Sequence, residues 1–397
     1  MPFNLSTPTC LMGAAAGVAA AAVLMTFCLP SFAASGHKVG LGKVLTTQDG
    51  GQIFGFDIDQ HGQDGVLASA RTIDSKGDVR VSVETFDQNT GTITKSFAKY
   101  VGMRNEYAVD GVVAGDIALV THYITPKGQI YARRTYDVMN PVTAQAFTGM
   151  WTPPIKDVDI QSAAENQATS TSVVFAIELK NQDGPDLIVS DIARNTFAKV
   201  VPLDPNLFGG GNGPQLGQYT AANQAVIALS PDGGAVGGQA PINALIDLTS
   251  GKITQFVGDN FGPYGAGYVN GLAVDPNTGV AATTTELNAE VEFYNLANQT
   301  SITAVQLPCT GPSSQLNSGS GIAVDPINKV FLVTETNYCD GPNGSAIVVY
   351  DEGGKFVETI TGFAFGVGEP APAINPGKRM GWAYGRSGFT QLQQFFY

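Results

Sequence analysis

The sequence predicts an all-β protein, a seven-bladed β-propeller of four-stranded blades whose last blade is shared by both ends of the chain. Three observations predict it. A ten-residue block recurs at an offset of 50 residues, as Asn270-Gly-Leu-Ala-Val-Asp-Pro-Asn-Thr-Gly279 and Ser320-Gly-Ile-Ala-Val-Asp-Pro-Ile-Asn-Lys329, with a degenerate copy at Val226-Ile-Ala-Leu-Ser-Pro-Asp-Gly233. Each full block opens a run of about four short apolar strands within roughly one repeat length, the pattern of a propeller blade. The chain of 397 residues also carries 48 Gly and 22 Pro but only 14% charged residues, a turn-rich composition with ample apolar material for a core.

Taken in order, the first strand is expected over Val39–Thr46. Blade one follows as 52–59, 66–73, 79–87 and 93–100, and blade two as 106–113, 117–124, 129–138 and 143–150. Blade three is expected as 157–165, 172–179, 187–192 and 196–203, with blades four to six beginning near Ala225, Gly271 and Gly321. Two further strands, Met380–Gly385 and Thr390–Tyr397, remain at the C-terminal side. A ring that stays open exposes unpaired strand edges, so these two and Val39–Thr46 are expected to complete a seventh blade. Six blades with terminal strands are the alternative.

Ahead of the propeller, 11–29 is apolar and uncharged, Pro30 ends it, and Ser31-Phe32-Ala33 offers small residues for signal-peptidase cleavage after Ala33. This makes 1–33 a signal peptide and 34–397 a single domain, secreted or periplasmic. No Lys or Arg precedes the apolar run, and a retained membrane anchor is the alternative. Cys28 resembles a lipoprotein cysteine, but Phe27 is bulky where a small residue is needed. Cleavage leaves Cys309 and Cys339, an even pair that reads as a disulfide in an exported protein. Such a link would contribute about 3 kcal/mol by constraining the unfolded chain. A net charge of −13 argues against a nucleic-acid or anionic-membrane surface.

The Ala-Val-Asp-Pro blocks are each followed by a Tyr-bearing strand, Phe293-Tyr294-Asn295 and Val349-Tyr350-Asp351. Together they resemble the NHL/YVTN-type propeller repeat over about residues 220–363. The resemblance extends loosely to the SMP-30/gluconolactonase-like propellers, which bind a divalent cation at the mouth of the central channel. It implies a fold more than an activity, and no cation ligand is carried over, because no residue-by-residue match exists.

Strands of a blade alternate in direction, so its first-to-second and third-to-fourth turns share one rim of the ring. On that rim the turns are short: Asp275–Gly279, Asp87–Gly91, Asp247–Gly251 and Asp351–Gly354. The other rim receives long connections rich in Gly, Pro and aromatics, at 203–219, 258–269, 308–320, 338–345 and 363–378, including Tyr219 and Tyr264. Elaboration of one rim points to function there. Both cysteines fall on it.

Glu178, Glu286 and Glu335 take matching places at the ends of second strands and would reach the elaborated rim. Carboxylates converging there would hold Ca²⁺ or another divalent cation or position a water; otherwise each caps its own loop. Asn166 and Asn270, read as lying near the starts of first strands, would join such a site. Asp57–Asp64 resembles the start of a calcium loop, but Ala68 stands where the twelfth-position acid belongs, so it reads as a turn. His37, His61 and His122 are too dispersed for a histidine metal site. Nucleophile elbows, phosphate loops and dinucleotide fingerprints are missing from the chain. Two readings follow. The first is an exported monomeric module binding a protein, peptide or glycan through the long-loop rim. The alternative is a metal-dependent hydrolase of the lactonase type at the channel mouth.

Overall fold

The computed structural model describes 38–60, 62–72, 79–101, 106–114, 117–124, 133–140, 145–146, 158–166, 171–178, 185–191, 196–202, 216–220, 224–229, 242–247, 250, 252–257, 269–285, 290–307, 319–336, 345–364, 371–385 and 388–397, with side chains chiefly in 38–71, 82–96 and 271–397. The expected signal peptide, Cys309, Cys339, Glu286 and Tyr264 lie outside the described residues.

Second strands explain why a blade needs neighbours. In blade six, Val330–Glu335 is buried at every position. Val330 and Leu332 pack with blades seven and one, while Phe331 and Val333 pack with blade five. A strand sandwiched between two blades therefore reads as an unbroken apolar run. The outermost strand of blade five, Thr300–Gln306, alternates exposed and half-buried residues instead, because it has solvent on one side. Each large apolar side chain so buried contributes about 1.5–3 kcal/mol.

The described strands form seven antiparallel four-stranded sheets. Blade one holds β2 (Gln52–Ile58), β3 (Asp64–Thr72), β4 (Val79–Asp87) and β5 (Ile93–Val101). Blade two holds β6 (Glu106–Ala114), β7 (Ile117–Ile124), β8 (Arg133–Asn140) and the two-residue β9 (Gln145–Ala146). Blade three comprises β10 (Val158–Asn166), β11 (Thr171–Glu178), β12 (Pro185–Asp191) and β13 (Thr196–Pro202). Blade four comprises β14 (Leu216–Thr220), β15 (Gln224–Leu229), β16 (Ile242–Asp247) and β17 (Ile253–Val257). β18 (Val269–Val274), β19 (Val280–Thr285), β20 (Glu290–Asn295) and β21 (Thr300–Gln306) make blade five. β22 (Gly319–Asp325), β23 (Val330–Glu335), β24 (Ser345–Asp351) and β25 (Phe356–Phe363) make blade six.

Blade seven is β26 (Ala373–Asn375), β27 (Met380–Gly385), β28 (Gly388–Phe396) and, as its outer strand, β1 (Gly40–Thr46). β1 pairs antiparallel with β28, Leu45 opposite Leu392, so the two ends of the unit close the ring as the edge argument requires. First strands line up beside one another around the circle, β2 with β6, β10, β14, β18, β22 and β26 in turn, and β26 returns to β2.

Three expectations need correction. Blade four begins at Leu216, not near Ala225: the Val226-Ile-Ala-Leu copy is its second strand, paired with β14 on one side and β16 on the other. The long connection ahead of it therefore ends at residue 215, and Tyr219 sits in β14, not in a loop. Within the expected loop 363–378 lie a strand, Ala373–Asn375, and a 3-10 turn, Pro376–Lys378. That strand belongs to a third copy of the repeated block, Ala373-Ile-Asn-Pro-Gly-Lys-Arg379, 50 residues beyond Ala323.

The copies fold alike. Asp275 Oδ1 accepts from the amide of Asn277 at 2.7 Å, Asp325 Oδ1 from those of Ile327 and Asn328 at 2.9 and 2.8 Å, and Asn375 Oδ1 from that of Lys378 at 3.2 Å. The fifth turn residue is left-handed each time, with φ of +71° at Gly279, +55° at Lys329 and +46° at Arg379. Only glycine takes that conformation without a steric cost, so blades six and seven hold it against about 1 kcal/mol or more.

Candidate functional site

The two rims differ in what their polar groups do. On the short-turn rim the turns at Asp87, Asp247 and Asp351 bond their own backbone. Asp87 Oδ1 accepts from the amides of Asn89 and Thr90 at 2.8 and 2.9 Å, and Asp351 Oδ1 from those of Gly353 and Lys355, both at 2.9 Å. Asp247 Oδ1 binds the amide and hydroxyl of Ser250 at 2.6 and 2.8 Å. Asp57–Asp64 belongs here as well: the Asp59 amide donates to the Asp64 carbonyl at 3.0 Å, closing the turn from β2 to β3.

On the long-loop rim, apolar second strands finish in polar residues. Val280 and Ala282 of blade five pack with Phe331 and Val333 of blade six. Two residues further along the same faces come Thr284 and Glu335. Glu335 pairs with Gly319 on one side and Ala346 on the other, and small neighbours leave room for its carboxyl. Glu335, Thr336 and Ser345 are all buried.

Neither Glu335 oxygen has a hydrogen-bond partner among the described residues. Burial pushes this carboxyl up to about 8, so near neutrality it is a neutral acid, able both to donate and to accept. Because its folded value lies above the ordinary 4.5, the folded state holds the proton longer than the unfolded chain. Stability is therefore greatest below about pH 4.5 with respect to this group and falls as pH rises through about 8.

Glu178 ends β11 opposite Val158, as Glu335 ends β23 opposite Gly319, so the matching places exist. They belong to blades three and six, separate positions around the ring. Asn270 lies at the start of β18, on the long-loop rim as expected. Asn166 does not: it ends β10 opposite Thr171, at the short-turn rim, a strand's length from Glu178. It cannot join a site with the glutamates. Among the described residues no group of three or more His, Cys, Asp or Glu side chains is placed to hold a metal ion. A lone buried carboxyl with apolar strand neighbours does not fit Ca²⁺, which takes six to eight oxygens. The lactonase reading is left without support.

The polar finish of the second strands was legible in Thr283-Thr-Thr-Glu286 and Thr334-Glu-Thr336. The buried Ser345 was not, since it comes beside them through the pairing of β23 with β24, where Glu335 faces Ala346.

No protein-family model and no curated protein matches the chain. Its architecture is similar to that of solved propellers. The structure of U3-55K aligns with a TM-score of 0.62 at 10% identity, over 89% of this chain and 98% of that one. The crystal structure of the RRP9 WD40 repeats aligns with a TM-score of 0.62 at 10% identity, over 90% and 99%. At such identity the likeness shows the fold alone. On its seven sheets, its closed ring and these neighbours, the chain is a β-propeller repeat protein.

Proposed function

We propose that this is an exported propeller that binds a polypeptide partner through its long-loop rim and acts as a scaffold, without catalysis. The contrast between the rims carries the reading. The short turns at Asp87, Asp247 and Asp351 bond their own backbone with their own side chains, whereas the opposite rim combines long connections with second strands that finish in buried polar residues, among them a carboxyl without a hydrogen-bond partner among the described residues. Similarity to WD40 propellers is consistent with a protein partner. Export rests on the apolar 11–29 segment and the Ser31-Phe-Ala33 site, and Cys309 with Cys339 would then form a disulfide; the Ala-Val-Asp-Pro repeat is of the NHL/YVTN type in this reading.

The test is native co-purification from the producing cell with three proteins: wild type, a variant with 203–215 and 258–268 shortened to tight turns, and a short-turn-rim control, Asn89→Lys. A stoichiometric polypeptide kept by wild type and control but lost from the shortened variant is expected. Equal retention by all three would overturn the long-loop assignment. Intact mass of the secreted protein checks the rest: it should begin at Ala34 and be two mass units lighter than its reduced form.

A further inference from the structure

The residue after the third strand takes an equivalent place in successive blades: Gln88 in blade one, Leu296 in five, Glu352 in six and Tyr397 in seven. Backbone pairing fixes the equivalence. The amides of Gln88, Leu296 and Tyr397 each donate to the last residue of their own blade's first turn, Gln63, Gly279 and Arg379. Glu352 follows Asp351, which faces Val330 as Asn295 faces Val280 in blade five.

In two joints this side chain reaches the residue that opens the first turn of the preceding blade. Asn375 Nδ2 donates to Gln88 Oε1 at 3.0 Å, linking blades seven and one. The Tyr397 hydroxyl donates to Asp325 Oδ2 at 2.9 Å, linking six and seven. Each pair has one donor and one acceptor.

Between blades five and six the same two places hold Asp275 and Glu352. Asp275 is fully buried. Its counterpart Asp325 receives Asn328 Nδ2 at 2.7 Å as well as Tyr397. Thr278 stands where Asn328 would be, and its hydroxyl bonds Glu352 instead. Glu352 lies close enough to Asp275 to interact with it, and Asp275 Oδ2 has no donor among the described residues. The charged groups acting on Glu352 are Asp275 from blade five and Lys329 from its own blade, with the Thr278 hydroxyl alongside.

We propose that Asp275 and Glu352 share a single proton, forming a titratable latch between blades five and six where the six–seven and seven–one joints use a hydrogen bond with a fixed donor. Below the transition Glu352 donates to Asp275 Oδ2; above it the proton leaves to solvent and two carboxylates face each other. Burial first, then Asp275, raise the Glu352 carboxyl, while Thr278 and Lys329 oppose them. A raised folded value means that the folded state releases its proton later than the unfolded chain. This joint is therefore strongest in acid and weakens as pH rises from 4.5 through the raised value.

The test is a set of thermal melts from pH 4.5 to 8.5 in chelator, on the full chain carrying Glu335→Gln so that Glu335 does not titrate in the same window. Glu352→Gln supplies a donor at every pH and should melt about 2 °C higher than its parent at pH 8, with the difference vanishing toward pH 4.5. Asp275→Asn copies the blade-seven turn, where Asn375 folds the same motif, and should flatten the profile in the same way. Parallel profiles for parent and both variants would overturn the proposal. So would a rise in the parent's melting temperature on adding Ca²⁺ at pH 8 that Glu352→Gln abolishes, since a cation would then bridge the pair instead of a proton.

Discussion

Gln88 and Glu352 hold the same place in two joints of one ring, and they do opposite things there. At the joint of blades seven and one, Gln88 spends its amide on three partners: its Nε2 donates to the carbonyls of Asp59 and Asp64, both at 2.7 Å, and its Oε1 accepts from Asn375. Its carbonyl accepts from Trp382 Nε1 at 3.1 Å and Gln394 Nε2 at 2.8 Å. All of these groups are neutral. At the joint of blades five and six, Glu352 meets another acid and can bond it only by keeping a proton. The difference follows where the chain is continuous. Blades one to six are each one stretch of chain, whereas blade seven is held together by the pairing of β1 with β28. The joint beside that non-covalent seam carries the neutral network, and a joint flanked by continuous blades carries the titratable pair.

If the seam is what the neutral network protects, breaking it should have the largest effect. Deleting 380–397 removes β27 and β28 and leaves the β1 edge unpaired. Insoluble protein, or protein without a cooperative near-UV melt, is expected; an unchanged melting temperature would refute the shared blade. Trp382→Ala comes next. The indole is fully buried, packs edge-on to Phe86 at 5.3 Å and bonds Gln88. Its truncation should cost about 3–5 kcal/mol by denaturant titration. Blade one is shaped to it: a Cβ on Gly91, where φ is +70°, would lie 2.8 Å from the indole.

Some of this was legible in the sequence. The Ala-Val-Asp-Pro blocks at 273 and 323 located blades five and six because Pro, Asp and a left-handed fifth residue together specify one turn. The third copy at 373 went unread, since Asn375 replaces Asp and the preceding Gly-Glu-Pro-Ala-Pro reads as loop; the constant offset of 50 was the available signal. Blade four lies one strand earlier than its sequence pattern suggests. Leu216-Gly-Gln-Tyr-Thr220 has too little apolar character to announce a first strand, and Val226-Ile-Ala-Leu imitates one. Glu335 could be found because a carboxylate at the end of an apolar run stands out. The latches could not: Asn375 lies 287 residues from Gln88 and Tyr397 lies 72 from Asp325, distances that only ring closure and the blade period bring together.

The comparison sharpens if the two joints are exchanged in character. Gln88→Glu places an acid in the neutral network and removes the Nε2 donor from two half-buried carbonyls. The expected loss is about 1–3 kcal/mol, and it should grow as pH rises, because the new carboxyl is most easily accommodated while protonated. Melting the variant at pH 5 and pH 8 checks the sign. A penalty independent of pH would mean that the position, not the charge, sets the behaviour of the joint.

The smallest effect is expected at the joint between blades six and seven, which lies between the other two in the ring. There Tyr397, fully buried, supplies the donor that Glu352 can supply only when protonated. Burial first, and then Asp325, raise the Tyr397 phenol above its ordinary value of 10.0, so it stays protonated throughout the range in which Glu352 titrates. For an acid with a raised folded value, stability is intact below the unfolded value, here 10.0, and declines only above it. Tyr397→Phe keeps the ring and its tilted packing against Phe395 at 6.0 Å while deleting the hydroxyl. Asp325 Oδ2 retains Asn328 Nδ2 as a donor, which limits the loss to about 1 kcal/mol. That loss should be the same at pH 5 and pH 8. A Tyr397→Phe penalty that changed sign or size across that interval would show that this joint is pH-dependent too, and the division between neutral and titratable joints would fail.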